Sequence, residues 1–229
     1  MKKLLLTLSI CLIIFTIITQ TSNATILIIG NVTGSAEQLG NFTGELTYDP
    51  LTATLTVELT NTSPLANGGY LVDFVFNNPG DNIEGVQTFT PSNTNFNLYG
   101  GPDFDNSLNG APFGYFDIGA GTGNEFPGNG NPDKGIGVGQ TEIFTFVFTG
   151  DNVGNLTESN FVEELSTGAS GDWGNQFFMA RFRGFNNGGS DKVPGEVSGY
   201  GVIPEPGTFL LLGTGLLGLA AYRYRRSKR

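Results

Sequence analysis

Short segments in which apolar and polar residues alternate restrict the fold of this chain more than any other feature of its sequence. In Ala53–Thr60 every second residue is apolar, and in Glu142–Phe148 three phenylalanines occupy alternate positions. Successive side chains of a strand point to opposite faces of its sheet, so each segment predicts an antiparallel strand with one buried face. Glycine, proline and asparagine between the segments predict turns.

Seven further segments predict strands of the same kind: Thr25–Ile29, Glu45–Tyr48, Tyr70–Phe76, Val86–Phe89, Phe96–Tyr99, Tyr115–Ile118 and Phe177–Arg183. In one of them we expect four alternate residues to line a single buried face: Tyr70, Val72, Phe74 and Phe76. Asp49 and Pro50 predict a tight turn that joins two strands into a hairpin.

One stretch has a helical pattern. Thr157 is a suitable N-cap, and the apolar residues that follow it share one helix face: Phe161, Val162 and Leu165. Many short strands with one short helix predict an all-β fold. We expect an antiparallel β-sandwich of jelly-roll or immunoglobulin-like topology. The pattern leaves the order of the strands open.

The composition excludes several classes of enzyme. The 229 residues include no histidine and a single cysteine, Cys11. Nucleophilic systems that depend on histidine and metal sites that contain it are therefore ruled out. We expect that the protein is not an enzyme and has no cofactor. A glycoside hydrolase that uses two carboxylates is the catalytic alternative, because that chemistry needs only a suitably spaced pair of acids.

The first 24 residues have the pattern of a signal peptide. Lys2 and Lys3 precede an apolar run from Leu4 to Ile18, and small residues end the segment at Ala24. This order predicts export with cleavage after Ala24. Cys11 would leave with the signal, so the exported chain would contain no thiol.

The last residues combine a proline-rich tripeptide, an apolar run and a basic end. Pro204, Glu205 and Pro206 precede an apolar segment over residues 208–224, which predicts a transmembrane helix of minimal length. The basic tail over residues 223–229 predicts a cytoplasmic C-terminus under the positive-inside rule. Its basic residues are Arg223, Arg225, Arg226, Lys228 and Arg229.

This arrangement resembles the PEP-CTERM sorting signal of Gram-negative bacteria. In that family a membrane-embedded protease, the exosortase, recognises the tripeptide at positions 204–206 and removes the tail. The resemblance implies a sorting signal over residues 201–229. Together with the signal peptide over residues 1–24 and the strand pattern, this leaves a β-sandwich ectodomain over 25–200. The resemblance also implies an intermediate in the inner membrane, followed by release to the cell surface or extracellular matrix.

Parts of the middle of the chain also resemble the ectodomains of PEP-CTERM surface proteins. The similar segments are 135–150, with Leu156–Phe161, and 183–193. This resemblance brings no established activity with it. Because the two terminal signals flank a domain without a catalytic constellation, we expect a structural or adhesive protein of the cell surface or of a biofilm matrix, associated with exopolysaccharide. A carbohydrate-binding module of that matrix is the alternative. The partners that we expect for this protein are exosortase and extracellular polysaccharide.

The charges are unevenly distributed. Residues 25–203 contain twenty acidic and four basic residues, which leaves sixteen excess negative charges. Because nucleic-acid binding requires clustered lysine and arginine to neutralise phosphates, we expect no nucleic-acid partner.

Candidate binding residues lie in two long stretches rich in glycine and asparagine and in a later loop. The long stretches, Tyr99–Gly114 and Gly119–Gly139, are the first places to expect a binding site. Alternating oxygen ligands at Asp103, Asp105 and Asn109 suggest a calcium loop, with a solvated turn as the alternative. Trp173, between glycines, is a candidate platform for a sugar ring, with packing in the core as its alternative role.

Overall fold

Residues 24–201 form thirteen strands and one α-helix in the computed structural model, which also describes Gly215 and Arg223, both helical. The elements are β1 (Thr25–Gly30), β2 (Phe42–Asp49), β3 (Thr54–Asn61), β4 (Gly68–Phe76), β5 (Gly85–Pro91), β6 (Asn97–Tyr99), β7 (Leu108–Asn109), β8 (Tyr115–Phe116), β9 (Ile118–Gly121), β10 (Ile136–Gly137), β11 (Thr141–Thr149), α1 (Glu158–Glu163), β12 (Phe178–Phe185) and β13 (Ser190–Gly201).

The predicted all-β, antiparallel character is confirmed. Ten strands follow one another in the order β5-β11-β3-β2-β1-β13-β12-β4-β9-β6, β10 adds to β4, and β7 with β8 forms a separate hairpin. All nine predicted segments overlap strands, although Tyr115–Ile118 is divided between β8 and β9. Hydrogen bonding continues without a break through this order, from β5 at one end to β6 at the other. The predicted sandwich therefore takes the form of one nearly closed sheet and not of two independent sheets.

Strand β13 joins the two halves of this sheet and was not predicted. Its first part, Ser190–Pro194, pairs with β12, and its second part, Gly195–Gly201, pairs with β1. A strand that passes from one half-sheet to the other in this way forms a corner. The sequence pattern missed β13 because proline and several glycines interrupt it, and such residues argue against a central strand. Pro194 is accommodated because it lies where the pairing changes partner.

Phenylalanine rings from both halves of the sheet form the core. Phe74 of β4 lies 4.7 Å from Phe144 of β11 and 5.8 Å from Phe178 of β12, measured between ring centroids. The predicted buried face of β11 is confirmed, since its three alternate phenylalanines are all buried: Phe144, Phe146 and Phe148.

The predicted buried face of β4 is wrong at its start. Asp73 pairs with Arg181 while Leu71 pairs with the next residue, Phe182, so Val72 is an extra residue in a β-bulge. The bulge changes which side chains face inward. Leu71, rather than Tyr70 or Val72, joins Phe74 and Phe76 in the main core.

Helix α1 confirms the helical prediction. Thr157 precedes it, and the Thr157 backbone N–H donates to Asn160 Oδ1 at 2.8 Å, which fixes the first turn. Phe161 is buried beside Tyr48 of β2, with ring centroids 5.2 Å apart. The helix ends at Glu163, and Leu165 is exposed beyond it.

A buried carboxylate attaches the segment after β1 to β13. Asp191 Oδ2 accepts hydrogen bonds from the backbone N–H groups of Leu39 and Gly40 and from the Ser35 hydroxyl, at 2.8, 3.0 and 3.1 Å. Asp191 Oδ1 accepts one from the Glu37 N–H at 2.9 Å. Asp191 belongs to the 183–193 segment, and the structure gives this residue a clear role in holding a loop.

Ala24–Gly201 form one compact unit with its own core. In the part of the chain that the structure describes, we find no helix of the length and apolar character that a membrane crossing requires. Residues 1–23 of the predicted signal peptide lie outside the described residues. So does the predicted transmembrane segment 208–224, apart from Gly215 and Arg223.

We expect Asp191→Asn to lower the free energy of unfolding of residues 24–201 by about 1–3 kcal/mol, because either amide orientation turns an NH₂ group toward a backbone donor. Urea denaturation followed by circular dichroism measures this change. Asp151→Asn, at an exposed position, is the matched control and should change stability by less than about 0.5 kcal/mol. Equal stability of the two variants would contradict the anchoring role of Asp191.

Candidate functional site

The predicted sugar-binding residue, Trp173, lies beside an open groove. Trp173 is 40% exposed, and its ring packs edge to face with the buried Phe113 ring, with centroids 5.4 Å apart and planes at 82°. The Gln176 side chain donates to the Trp173 carbonyl at 3.0 Å and thereby closes the loop. Trp173 is therefore held by the core while it presents part of its ring to solvent.

The groove has a volume of about 580 Å³ and is mostly polar. Its lining residues come from the loop after β1, from the Trp173 loop and from β13: Asn31, Thr33, Gly34, Asp172, Trp173, Gln176 and Pro194. Apart from Trp173, sequence reasoning missed them, because they lie far apart along the chain. The exposed tryptophan beside glycines was the one signal that pointed here.

Internal hydrogen bonds hold the wall of the groove that the loop after β1 contributes. The Asn31 backbone N–H donates to the Pro194 carbonyl at 2.8 Å, and the Asn31 side-chain amide donates to Glu196 Oε1 at 2.5 Å. Asn31 Oδ1 in turn accepts from the Gly34 N–H and the Thr33 hydroxyl, at 2.8 and 3.0 Å. Both walls are thus organised without a ligand, which lowers the entropy cost of binding one.

Basic side chains fasten to the sheet the two long stretches in which a binding site is predicted. Arg181 Nη1 donates to the Gly128 carbonyl at 2.6 Å, and Arg183 Nη1 donates to the Gly130 carbonyl at 2.9 Å. Lys192 Nζ donates to the Ala111 carbonyl in the other stretch at 2.5 Å, and burial lowers the pKa of Lys192. Three of the four bases in residues 24–201 therefore hold loops in place.

A buried carboxylate completes this network. Asp73 Oδ2 lies 3.3 Å from Arg181 Nη1, and Asp73 Oδ1 accepts from the Tyr99 hydroxyl at 3.2 Å. Burial raises the pKa of Asp73 to about 6, an effect that the neighbouring Arg181 guanidinium only partly offsets. Sequence reasoning missed Asp73; its signal was a single acid within an otherwise apolar strand.

The predicted calcium ligands lie in and beside the hairpin of β7 and β8. Asp103 and Asp105 are exposed, and Asn109 Oδ1 accepts from the Ala111 N–H at 3.0 Å. Among residues 24–201, Gly215 and Arg223, no three His, Cys, Asp or Glu side chains form a group that could hold a metal ion. Calcium binding at Asp103, Asp105 and Asn109 stays a prediction.

The predicted sorting residues Pro204, Glu205 and Pro206 lie outside the described residues, as do four of the five predicted basic residues of the tail: Arg225, Arg226, Lys228 and Arg229. The fifth, Arg223, is helical and exposed. Residues 202–226 match the family model of the PEP-CTERM protein-sorting motif. The chain carries a PEP-CTERM sorting signal. Comparison with curated proteins and with solved structures gives no match.

The PEP-CTERM motif supports an exosortase-targeted, secreted surface protein, since it implies export and processing at the membrane. The described domain ends at Gly201, immediately before the matched residues. The matched residues therefore begin, in the sequence, directly after the last described strand.

We expect the stability of residues 24–201 to contain a contribution from Asp73 that falls as the pH rises. A carboxyl whose pKa is raised on folding binds its proton more tightly in the folded state. It therefore stabilises that state most below the unfolded pKa of about 4. This contribution is lost as the pH passes through about 6. Carbon-13 NMR of the Asp73 carboxyl should give a titration midpoint near pH 6.

Asp73→Asn should remove this pH-dependent contribution. Urea denaturation between pH 4.5 and 7.5 should show a smaller change in unfolding free energy for Asp73→Asn than for the unsubstituted chain. Asp151→Asn, on the surface, should retain the full pH dependence. A midpoint for Asp73 below pH 4 would contradict the dominance of burial over its ion pair with Arg181.

Proposed function

We propose that the chain is an exported protein whose β domain is displayed at the cell surface or in the extracellular matrix after exosortase removes its C-terminal segment. The observation that carries this proposal is the sorting motif at residues 202–226, which follows the compact unit Ala24–Gly201 directly in the sequence. The predicted signal peptide, the transmembrane helix over 208–224 and an inner-membrane intermediate in a Gram-negative cell belong to the same proposal.

The pairing of β1 with β13 supports two cleavages that leave the domain intact. Thr25, the first residue after the predicted signal-peptide cleavage, pairs with Gly201, the last residue before the sorting motif. Both ends of the domain therefore lie at the same point of one strand pair. Cuts after Ala24 and within residues 202–226 would leave in place every ladder residue of the described strands.

The role we propose for the displayed domain is structural or adhesive, within the exopolysaccharide matrix of a biofilm, and not catalytic. The two carboxyl groups whose pKa burial raises, those of Asp73 and Asp117, both accept hydrogen bonds that hold loops. Asp117 accepts from the backbone N–H groups of Asn78 and Asn106, at 2.7 and 2.5 Å. These hydrogen bonds explain why the two carboxyl groups are buried, and the explanation needs no role in glycoside hydrolysis.

Processing is tested by expressing the full chain in a host with its exosortase and in the same host without the protease. Mass spectrometry should show loss of the segment after the tripeptide only when the protease is present. Glu205→Ala should block that loss, because it alters the recognised tripeptide. Glu196→Ala, an acid in β13 outside the motif, is the control and should be processed normally. A mature chain that retains residues 208–229 in both hosts would refute processing.

A second candidate function, binding of carbohydrate, is favoured by the groove beside Trp173. An aromatic ring that packs on the core and remains 40% exposed can stack on the apolar face of a sugar, and the neighbouring amide and hydroxyl groups suit the polar rim of the sugar. This would make the domain a binding module of the matrix.

We expect Trp173→Ala to abolish binding of residues 24–201 to those glycans that the unsubstituted domain retains on a glycan array, because the sugar would lose its stacking platform. Tyr200→Ala removes another exposed aromatic side chain, in β13, and should leave binding unchanged. Binding that survives Trp173→Ala, or no retention of any glycan, would refute this candidate.

A further inference from the structure

The charges around the Trp173 groove indicate which class of carbohydrate it suits. Asp172 is the only charged residue that lines the groove in the described structure, and its side chain is exposed. Among the described residues, the Asp172 side chain has no hydrogen-bond partner. It has no ion-pair partner there either, since the single ion pair found joins Arg181 to Asp73. The groove therefore presents a tryptophan ring next to an unpaired carboxylate.

A second carboxylate is hydrogen-bonded to the wall that the loop after β1 contributes. Glu196 is exposed on β13 and accepts the Asn31 amide hydrogen bond that orders this wall. The nearest base along β13 is Lys192, whose ammonium group is engaged by the Ala111 carbonyl. Lys192 keeps its positive charge in this contact, but the charged groups that line or order the groove, Asp172 and Glu196, are both acidic.

The rest of the domain strengthens this preference. Residues 24–201 carry sixteen excess negative charges, and Arg181 and Arg183 are directed to the carbonyls of Gly128 and Gly130 instead of to solvent. Such a field repels an anionic polysaccharide and attracts a cationic one. An ammonium group is also attracted by the face of an indole ring.

We propose that the ligand of the Trp173 groove is a glycan that carries free amino groups, such as a β-linked glucosamine polymer. The apolar face of one sugar ring packs on Trp173, and an ammonium group of the chain pairs with Asp172. This inference rests on the second candidate function above. One exposed ion pair contributes little, but a polymer repeats the contact along its length, and many displayed domains multiply it.

The test compares three polymers as probes: chitosan, which carries free amines, chitin, in which the same sugars are N-acetylated, and alginate, which is anionic. Residues 24–201 are incubated with each insoluble or bead-bound polymer, and the unbound fraction is measured across a protein titration. We expect binding to chitosan at least ten-fold tighter than to chitin, and no binding to alginate. Tighter binding to chitin or alginate than to chitosan would overturn the proposal.

Two substitutions separate the roles of the ring and the carboxylate. Trp173→Ala should weaken binding to chitosan and to chitin alike, by ten-fold or more. Asp172→Asn should weaken binding to chitosan several-fold and leave binding to chitin unchanged. Glu125→Gln removes an equal charge from an exposed position outside the groove lining and should leave both unchanged.

The outcomes distinguish this inference from the proposed function on which it rests. Binding that depends on Trp173 but is equal for chitosan and chitin would overturn the amine preference and retain the carbohydrate-binding function. Binding to chitosan that falls equally in Asp172→Asn and Glu125→Gln would reveal adsorption through net charge, and would overturn the assigned site. If no binding to any of the polymers depends on Trp173, both the carbohydrate-binding function and the amine preference are overturned.

Discussion

Packing of phenylalanine rings across the two halves of the sheet is the interaction on which the rest of the structure depends. Phe74 is in contact with rings from β11 and from β12, and a single cysteine in the whole chain excludes an internal disulfide. Removing one such ring costs about 3–5 kcal/mol, against a total stability of about 5–15 kcal/mol for a typical domain. The half-sheets therefore hold together by burial of aromatic surface, and the polar contacts build on that arrangement.

The buried polar groups fix what the core leaves undetermined, namely the paths of the loops. Asp191 accepts hydrogen bonds from the segment after β1 and so holds that segment against β13. Arg181, which pairs with Asp73, and Arg183 donate to carbonyls of the stretch that follows β9 and hold that stretch in place. Because so few bases are present and most of them bind loop carbonyls, the acidic side chains keep their charge largely unpaired. A domain built in this way is strongly anionic, and hydrogen bonds from buried or basic side chains hold its loops.

Much of the fold followed from local pattern, and the errors have particular physical causes. The alternation in Ala53–Thr60 and Glu142–Phe148 predicted β3 and β11 with the correct buried faces, because each lies in a half-buried antiparallel sheet. The bulge at Val72 reversed the expected faces at the start of β4. Whether a strand accommodates such an extra residue depends on its pairing with the neighbouring strand, here β12, and local pattern does not show it. Strand β13 was missed because its proline and glycines are tolerated only at the corner it forms.

For the candidate site, too, some features follow from the sequence and others only from the tertiary structure. The sequence by itself determined the antiparallel β class, the helix after Thr157, the acidity of the domain and the sorting signal at residues 202–226, because each depends on composition or on residues close together in the chain. Only the tertiary structure decided that Trp173 stands at a groove with Asn31 and Thr33, and that the long glycine-rich stretches are clamped by Arg181, Arg183 and Lys192. Those contacts join residues more than fifty positions apart, and long-range proximity is created by the packing of the sheet.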